Sequence, residues 1–253
     1  MKTTRIHKAL RSAKGGTAFG HDAEGRKVRL PVGDESPNLF VYGPSGRTTA
    51  AAVLINGAVN RSIPVHLALP IAEHRAFRPV TALAHSVSHG FDDVADHLEA
   101  LLASAQERIS EARAAAEAIT AGSGAAWTAS DRVLVVVSDL DRLMAPVQPV
   151  ASPAAELAEP CPQSVARARA ALAFVRLSRI SAAARMTVVA TSLSHPADFL
   201  GWAEGDDLLG TPAVAVGHDH DGSGLAFGLV EGEPEIPLTC WYIPRSWSRG
   251  GAR

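Results

Sequence analysis

Seven residues, Gly43-Pro44-Ser45-Gly46-Arg47-Thr48-Thr49, place two glycines, a guanidinium and two consecutive threonine hydroxyls within one short stretch. That combination suits an anion, above all a phosphate. Backbone N–H groups at the start of a helix point at the bound oxygens, and the helix dipole favours negative charge there. A cation beside them bridges the outer phosphates, and an adjacent hydroxyl completes the shell of a divalent ion. The widespread phosphate loop has four residues between its glycines and then Lys before Ser or Thr. Here only Pro44 and Ser45 separate the glycines, and Arg47 takes the Lys place. The last lysine of the chain is Lys27, so no lysine downstream can take over. A guanidinium is planar and larger than an ammonium, so it clamps phosphate from farther out than a point charge inside the loop. The shorter loop also offers fewer N–H donors.

Phosphoryl transfer needs, in addition, an acid at the end of a buried strand to hold the metal. Val133-Leu134-Val135-Val136-Val137 has the form of such a strand, and Ser138-Asp139-Leu140-Asp141 follows it. Ser138 falls on the metal acid's place and Asp139 on that of the catalytic base. A shift of one residue would make Asp139 the metal acid and Asp141 the base, and would require a kink at Ser138. The unshifted register is the preferred one, and Mg²⁺ would fall to Thr48, Ser138 and Asp139, with Thr49 able to cover for Thr48. The shortened loop, Arg47 and Ser138 each weaken a separate part of a hydrolytic apparatus. Together they point to a site that binds a nucleotide weakly and turns it over slowly or not at all.

These groups need a scaffold, and the hydrophobic pattern supplies one. Leu39-Phe40-Val41-Tyr42 reads as a strand before the glycine turn and Ala50–Val59 as a helix after it, the context in which such a loop works. Ile63–Leu69 is a second buried strand, stopped by Pro70, and Val80–Leu83 is expected to be another short one. From Phe91 the apolar spacing turns helical: Phe91, Val94, Leu98, Leu101, Leu102, Ala105, Ile109 and Ala112 share one face up to Gly122. Asp92 and Asp93 suit the positive end of that helix. Arg132–Val137 and Met186–Thr191 are core strands, Val165–Ala183 a helix, and 146–162 a Pro- and Ala-rich loop. A hairpin is expected in Ala18–Leu30, and the last fifty residues read as strand and turn. Strands alternating with helices predict an α/β fold with a mainly parallel sheet, helices on both faces and a β-rich C-terminal part. Residues 1–16 form a basic arm, 17–244 a single domain and 245–253 a tail.

Composition narrows the function. The net charge is −2, so nothing global favours nucleic acid or membrane. Lysines make up only four of 24 basic residues, which with the alanine richness reads as coding bias. Cys161 and Cys240 give neither a disulfide framework nor metal spacing, and no apolar run approaches the roughly 18 residues of a membrane span. The expected setting is cytoplasmic.

In order and spacing these segments resemble the FtsK/SpoIIIE family of P-loop motors, including the ATPase modules of EccC-like type VII secretion proteins. Over most of residues 18–243, Gly20-His21-Asp22-Ala23-Glu24-Gly25 resembles the family's G-x-D-x-x-G turn. Pro37-Asn38-Leu39-Phe40-Val41-Tyr42-Gly43 is similar to its P-H-L-L-(I/V)-x-G lead-in, with Asn38 for His. Ser45-Gly46-Arg47-Thr48-Thr49-Ala50 is similar to S-G-(K/R)-S-T-A, and Val135–Leu143 to V-V-D-D-Y-D-x-L. Ala183–Ser192 resembles A-G-I-H-L-I-L-A-T-Q, which puts Thr191 on the sensor position and Ser192 in place of Gln. The resemblance implies a RecA-like P-loop core binding ATP with Mg²⁺. Gly43, Pro44, Ser45, Gly46, Arg47, Thr48 and Thr49 would hold the nucleotide, and Asp139 and Thr191 would be catalytic. It implies double-stranded DNA, further copies of the chain or an active motor ATPase as partners. Three functions follow: a nucleotide-binding module with little hydrolysis, an active DNA translocase, or an adaptor of a secretion motor.

Other signals are weaker. Asp219-His220-Asp221-Gly222-Ser223-Gly224 looks like half a calcium loop, but its twelfth position is Val230 where a bidentate Glu is needed. It reads as a hairpin turn, with His218 and His220 solvated. The basic helix bearing Arg167, Arg169, Arg176 and Arg179 reads as a solvated face, and Cys161 has no adjacent base.

Overall fold

A computed structural model describes residues 17–22, 25, 27–30, 38–44, 46–71, 77–122, 131–144, 162–195, 198, 213–216, 225–229 and 236–240. The basic arm, the Pro- and Ala-rich loop before Pro162, Cys161, the calcium-like turn with His218 and His220, and the tail lie outside the described residues. Ten strands form one sheet: β1 (Thr17–Asp22), β2 (Lys27–Leu30), β3 (Asn38–Tyr42), β4 (Val65–Leu69), β5 (Ser86–His89), β6 (Val133–Val137), β7 (Met186–Ser192), β8 (Ala213–Val216), β9 (Leu225–Leu229) and β10 (Ile236–Cys240). The helices are α1 (Arg47–Val59), α2 (Arg78–Thr81), α3 (Gly90–Thr120), α4 (Leu140–Met144) and α5 (Pro162–Ile180). The sheet order is β2-β1-β10-β9-β8-β3-β7-β6-β4-β5. From β8 to β5 every pairing is parallel, and from β8 to β2 every pairing is antiparallel.

The strands read as unbroken apolar runs because the parallel part is covered on both faces. In β6, Leu134 and Val136 join a core with α1, while Val133, Val135 and Val137 join another with α3 and α5. The same alternation divides Leu39 and Val41 from Phe40 in β3, and Val189 from Val188 and Ala190 in β7. Burying both faces removes the polar half of the usual alternation and leaves only period-2 sorting of side chains between two cores. The expected α/β architecture, with helices on both faces and a β-rich C-terminal part, is what the chain adopts.

The long helix follows its periodicity: Val94, Ala95, Leu98, Leu101 and Ala105 are buried, with Phe91, Leu102 and Ile109 packed at the margin. Asp92 and Asp93 lie in its first turn. Helix α5 starts at Pro162, where the missing N–H is harmless. It stops at Ile180 rather than Ala183, and the turn after it reaches β7 through Arg185 at φ 56°. One expectation fails. Val80–Leu83 is not a strand: Pro79 sits in the first turn of α2 and Val80 is buried from a helix. The strand of this region is β5, whose Ser and His residues carry no apolar signature. An edge strand has one neighbour and needs less apolar surface.

Beneath β5 lies a polar network that the sequence reading did not foresee. Ser86 Oγ is 2.7 Å from His66 Nδ1 on β4 and 2.8 Å from His97 Nε2 on α3, and His97 Nδ1 is 2.9 Å from Ser88 Oγ. The two imidazole nitrogens approach to 3.4 Å. Burial first, then the neighbouring His97, His85 and Arg108, pushes the His66 pKa down to about 4. Burial lowers that of His97 too. Burial disfavours the charged form of both rings, and repulsion from the neighbouring imidazole adds to this at His66.

Two predictions follow from the packing. Phe174→Ala should cost about 3–5 kcal/mol, because Phe174 is 1% exposed between α5 and the sheet. Urea denaturation measures it, and a cost under about 1 kcal/mol would mean that the α5 face is not packed as described. His66 has a folded pKa below its unfolded value, so its contribution is fully present above about pH 6.5. It is lost as the pH falls from 6.5 towards 4. Thermal melting should therefore soften across that window, and His66→Gln should flatten the slope; equal slopes in both proteins would refute the assignment.

Candidate phosphate site

The site forms where three parallel strands end together. Tyr42 pairs with Ser192 across β3 and β7, and Val137 with Ala190 across β6 and β7, so the loops after all three strands open at one edge. Such carboxyl ends are where open α/β sheets bind ligands. Gly43 leaves β3 at φ 141°, and its N–H donates to the Ser192 carbonyl over 3.1 Å, tying the loop to β7. Gly46 is the N-cap of α1 in a left-handed conformation, φ 84°. A side chain at either glycine would strain the turn. The Gly46 carbonyl accepts the first helical bond from Ala50 N at 2.9 Å. The N–H groups of Arg47, Thr48 and Thr49 therefore belong to the unpaired first turn. Among the described residues no side chain caps this end, and no acidic residue stands in the first turn. An anion is the natural partner. Pro44 is exposed and Thr48 and Thr49 are half-buried, while Ser45 lies outside the described residues.

Arg47 dominates the arrangement. Its Nη1 donates to the Gly43 carbonyl at 2.7 Å, and its Nη2 reaches Asp139 Oδ1 at 3.4 Å. The pair is largely shielded from water, with side-chain exposures of 14% and 5%. The expected sites Gly43, Gly46, Arg47, Asp139 and Thr191 thus meet. Thr191 Oγ1 accepts from Asp139 N at 3.3 Å. Asp139 adopts φ 49°, and its carbonyl accepts from Arg142 N and Leu143 N at 2.9 and 3.2 Å, opening α4. The chain therefore bends at Asp139 itself, one residue after Ser138. This bend turns the Asp139 carboxylate towards the loop cation.

Ser138 continues the sheet, donating from N to the Ala68 carbonyl at 2.9 Å. Its hydroxyl is fully buried and has no hydrogen-bond partner among the described residues. Asp141 turns elsewhere, its Oδ1 accepting from Leu193 N at 3.2 Å. Two contacts carried no signal in the sequence. One is the Ser192 carbonyl that holds Gly43, since a backbone group leaves no residue signature. The other is the edge-on contact of Tyr42 with His195, ring centroids 4.8 Å apart. On the basic helix, Arg169 is engaged by Asp96 and Glu99 of α3, and these carboxylates raise its already high pKa. Among the described residues no cluster of three His, Cys, Asp or Glu is placed to hold a metal, and no helix is long and apolar enough to cross a membrane.

No protein-family model matches the chain, and no curated protein matches it in sequence. Its architecture does match solved structures. The pCW3 conjugation coupling protein TcpA, in its monomer form with ATPγS, superposes with a TM-score of 0.69 at 11% identity, over 94% of this chain and 69% of that one. The chain shares the α/β fold of that ATPγS-bound structure. The cytoplasmic domain of EssC matches with a TM-score of 0.63 at 16% identity, over 95% of this chain and 46% of that one. ATPases 2 and 3 of Thermomonospora curvata EccC, in complex with a signal sequence peptide, match at 0.62 and 12%, over 92% and 42%. The chain spans less than half the length of these two structures. Identities this low show the shared fold alone and leave residue roles to the geometry of this site.

The Arg47–Asp139 contact should behave as one coupled unit. A double-mutant cycle of Arg47→Met and Asp139→Asn is expected to give a coupling of about 1 kcal/mol in unfolding free energy, more than a solvated surface pair and less than an ideal buried one. Coupling indistinguishable from zero would remove the pair.

Proposed function

We propose that this chain is an FtsK/SpoIIIE-like nucleotide-binding module of a DNA-translocation or transfer system, with weak or absent ATP hydrolysis. One observation carries the reading: Arg47, at the usual lysine position, is lodged between the Gly43 carbonyl and the Asp139 carboxylate. The uncapped start of α1 and three further guanidinium N–H groups suit the phosphates of ATP. Gly43, Gly46, Arg47, Thr48 and Thr49 would bind them, with Pro44 and Ser45 between. Asp139 and Thr191 would be the catalytic pair if water attacked the terminal phosphorus. An Asp139 carboxylate with one oxygen turned to the guanidinium is less available to orient a water molecule.

Mg²⁺ would have to be held by Thr48, Ser138 and Asp139. These residues do not fit it well. Ser138 is neutral where a metal-binding acid is expected, and the one carboxylate already faces a fixed positive charge. Both points support a module that binds more readily than it hydrolyses. It would work in the cytoplasm beside an active motor ATPase or as a ring of its own copies, with double-stranded DNA as cargo. The signal-peptide complex of EccC favours a second reading, an adaptor of a type VII-like secretion motor that binds a peptide and ignores DNA.

Calorimetric titration with ATP and a non-hydrolysable analogue in Mg²⁺ buffer should show saturable binding that Arg47→Ala weakens about tenfold or more, roughly 1.4 kcal/mol. Turnover should remain near background with and without double-stranded DNA. Absence of binding at millimolar nucleotide would sink the reading, and strong DNA-stimulated hydrolysis would replace it with an active translocase.

A further inference from the structure

Nucleotide phosphates in a sheltered cleft need a nearby counter-charge, because repulsion among them is poorly screened there. P-loop sites ordinarily share that task between a lysine and a divalent ion. We infer that in this chain Arg47 performs it alone, so that nucleoside polyphosphates bind at the loop without a divalent metal. The inference deepens the nucleotide-binding reading above and rests on it.

Four features of the site converge on it. Arg47 Nη2 stands 3.4 Å from Asp139 Oδ1, so the acid nearest the loop already has a cation beside it. A divalent ion on that carboxylate would have to displace the guanidinium or sit against it, and like charges at such range repel strongly where water is scarce. A lysine could relieve the conflict by swinging away or giving up its proton. Arginine does not deprotonate in proteins, and its Nη1 is anchored 2.7 Å from the Gly43 carbonyl. The position next to Asp139 offers no second acid: Ser138 Oγ is neutral, fully buried and without a hydrogen-bond partner among the described residues.

The guanidinium is equipped for the substitution. Of its five N–H donors, Gly43 and Asp139 use two, which among the described residues leaves three for phosphate oxygens. Such forks bind phosphate in bidentate fashion. The uncapped first turn of α1 adds backbone N–H groups on the same side of the loop.

The test is calorimetric titration of the full chain with ATP in two buffers, one with excess Mg²⁺ and one with EDTA. The dissociation constants are expected to agree within about fivefold. A more than fivefold weakening in EDTA would overturn metal independence and leave the nucleotide-binding reading standing. No binding in either buffer would overturn both. Arg47→Met, shown by its melting curve to be folded, should lose about tenfold or more in both buffers. Undiminished binding of that variant in EDTA would show that some other group supplies the charge. The two-buffer comparison on the unaltered chain decides the matter even if the variant does not fold.

Discussion

The parallel registry of β3, β7 and β6 is the constraint on which the site depends. Because Tyr42 pairs with Ser192 and Val137 with Ala190, three strand ends lie side by side and their following loops emerge together. Residues distant in sequence, Gly43, Asp139 and Thr191, then fall within reach of one another. That registry is itself held by burial on both faces. A slip of one residue in β6 would exchange Leu134 and Val136 with Val133, Val135 and Val137 between two differently shaped cores.

On that scaffold the chemistry reduces to a contest over one carboxylate. Asp139 sits at φ 49°, a conformation that only the surrounding contacts make tolerable: its N–H is held by Thr191 and its carbonyl starts α4. The bend points its carboxylate at Arg47. In a hydrolytic site that acid would serve metal or water; here it serves a guanidinium. An open helix start has a cation beside it, and the acid nearest that cation is engaged by it.

The far edge of the sheet obeys different physics. His66, Ser86, His97 and Ser88 knit β4, β5 and α3 with hydrogen bonds where the central strands use Val and Leu. Burial lowers the pKa of both imidazoles, so the stability of this edge depends on pH. The difference traces to the number of neighbours: β6 is enclosed by two strands and two helix layers, and β5 has one strand and α3.

The sequence by itself determined the buried strands, the long helix, the α/β class and the glycine turn, because apolar periodicity and glycine placement are local properties of the chain. Leu39–Tyr42, Val133–Val137 and Phe91–Ala112 could be read directly for that reason. It misjudged Val80, whose burial comes from a short helix, and passed over β5, since edge strands of Ser and His look like loop. Only the tertiary structure decided which acid meets Arg47. Ser138, Asp139 and Asp141 are three candidates within four residues, and a single left-handed residue sends Asp139 to Arg47 and Asp141 to Leu193 N. The Asp139 N–H is held by Thr191 of β7, 52 residues further along the chain, so the residues around Asp139 do not by themselves encode that contact.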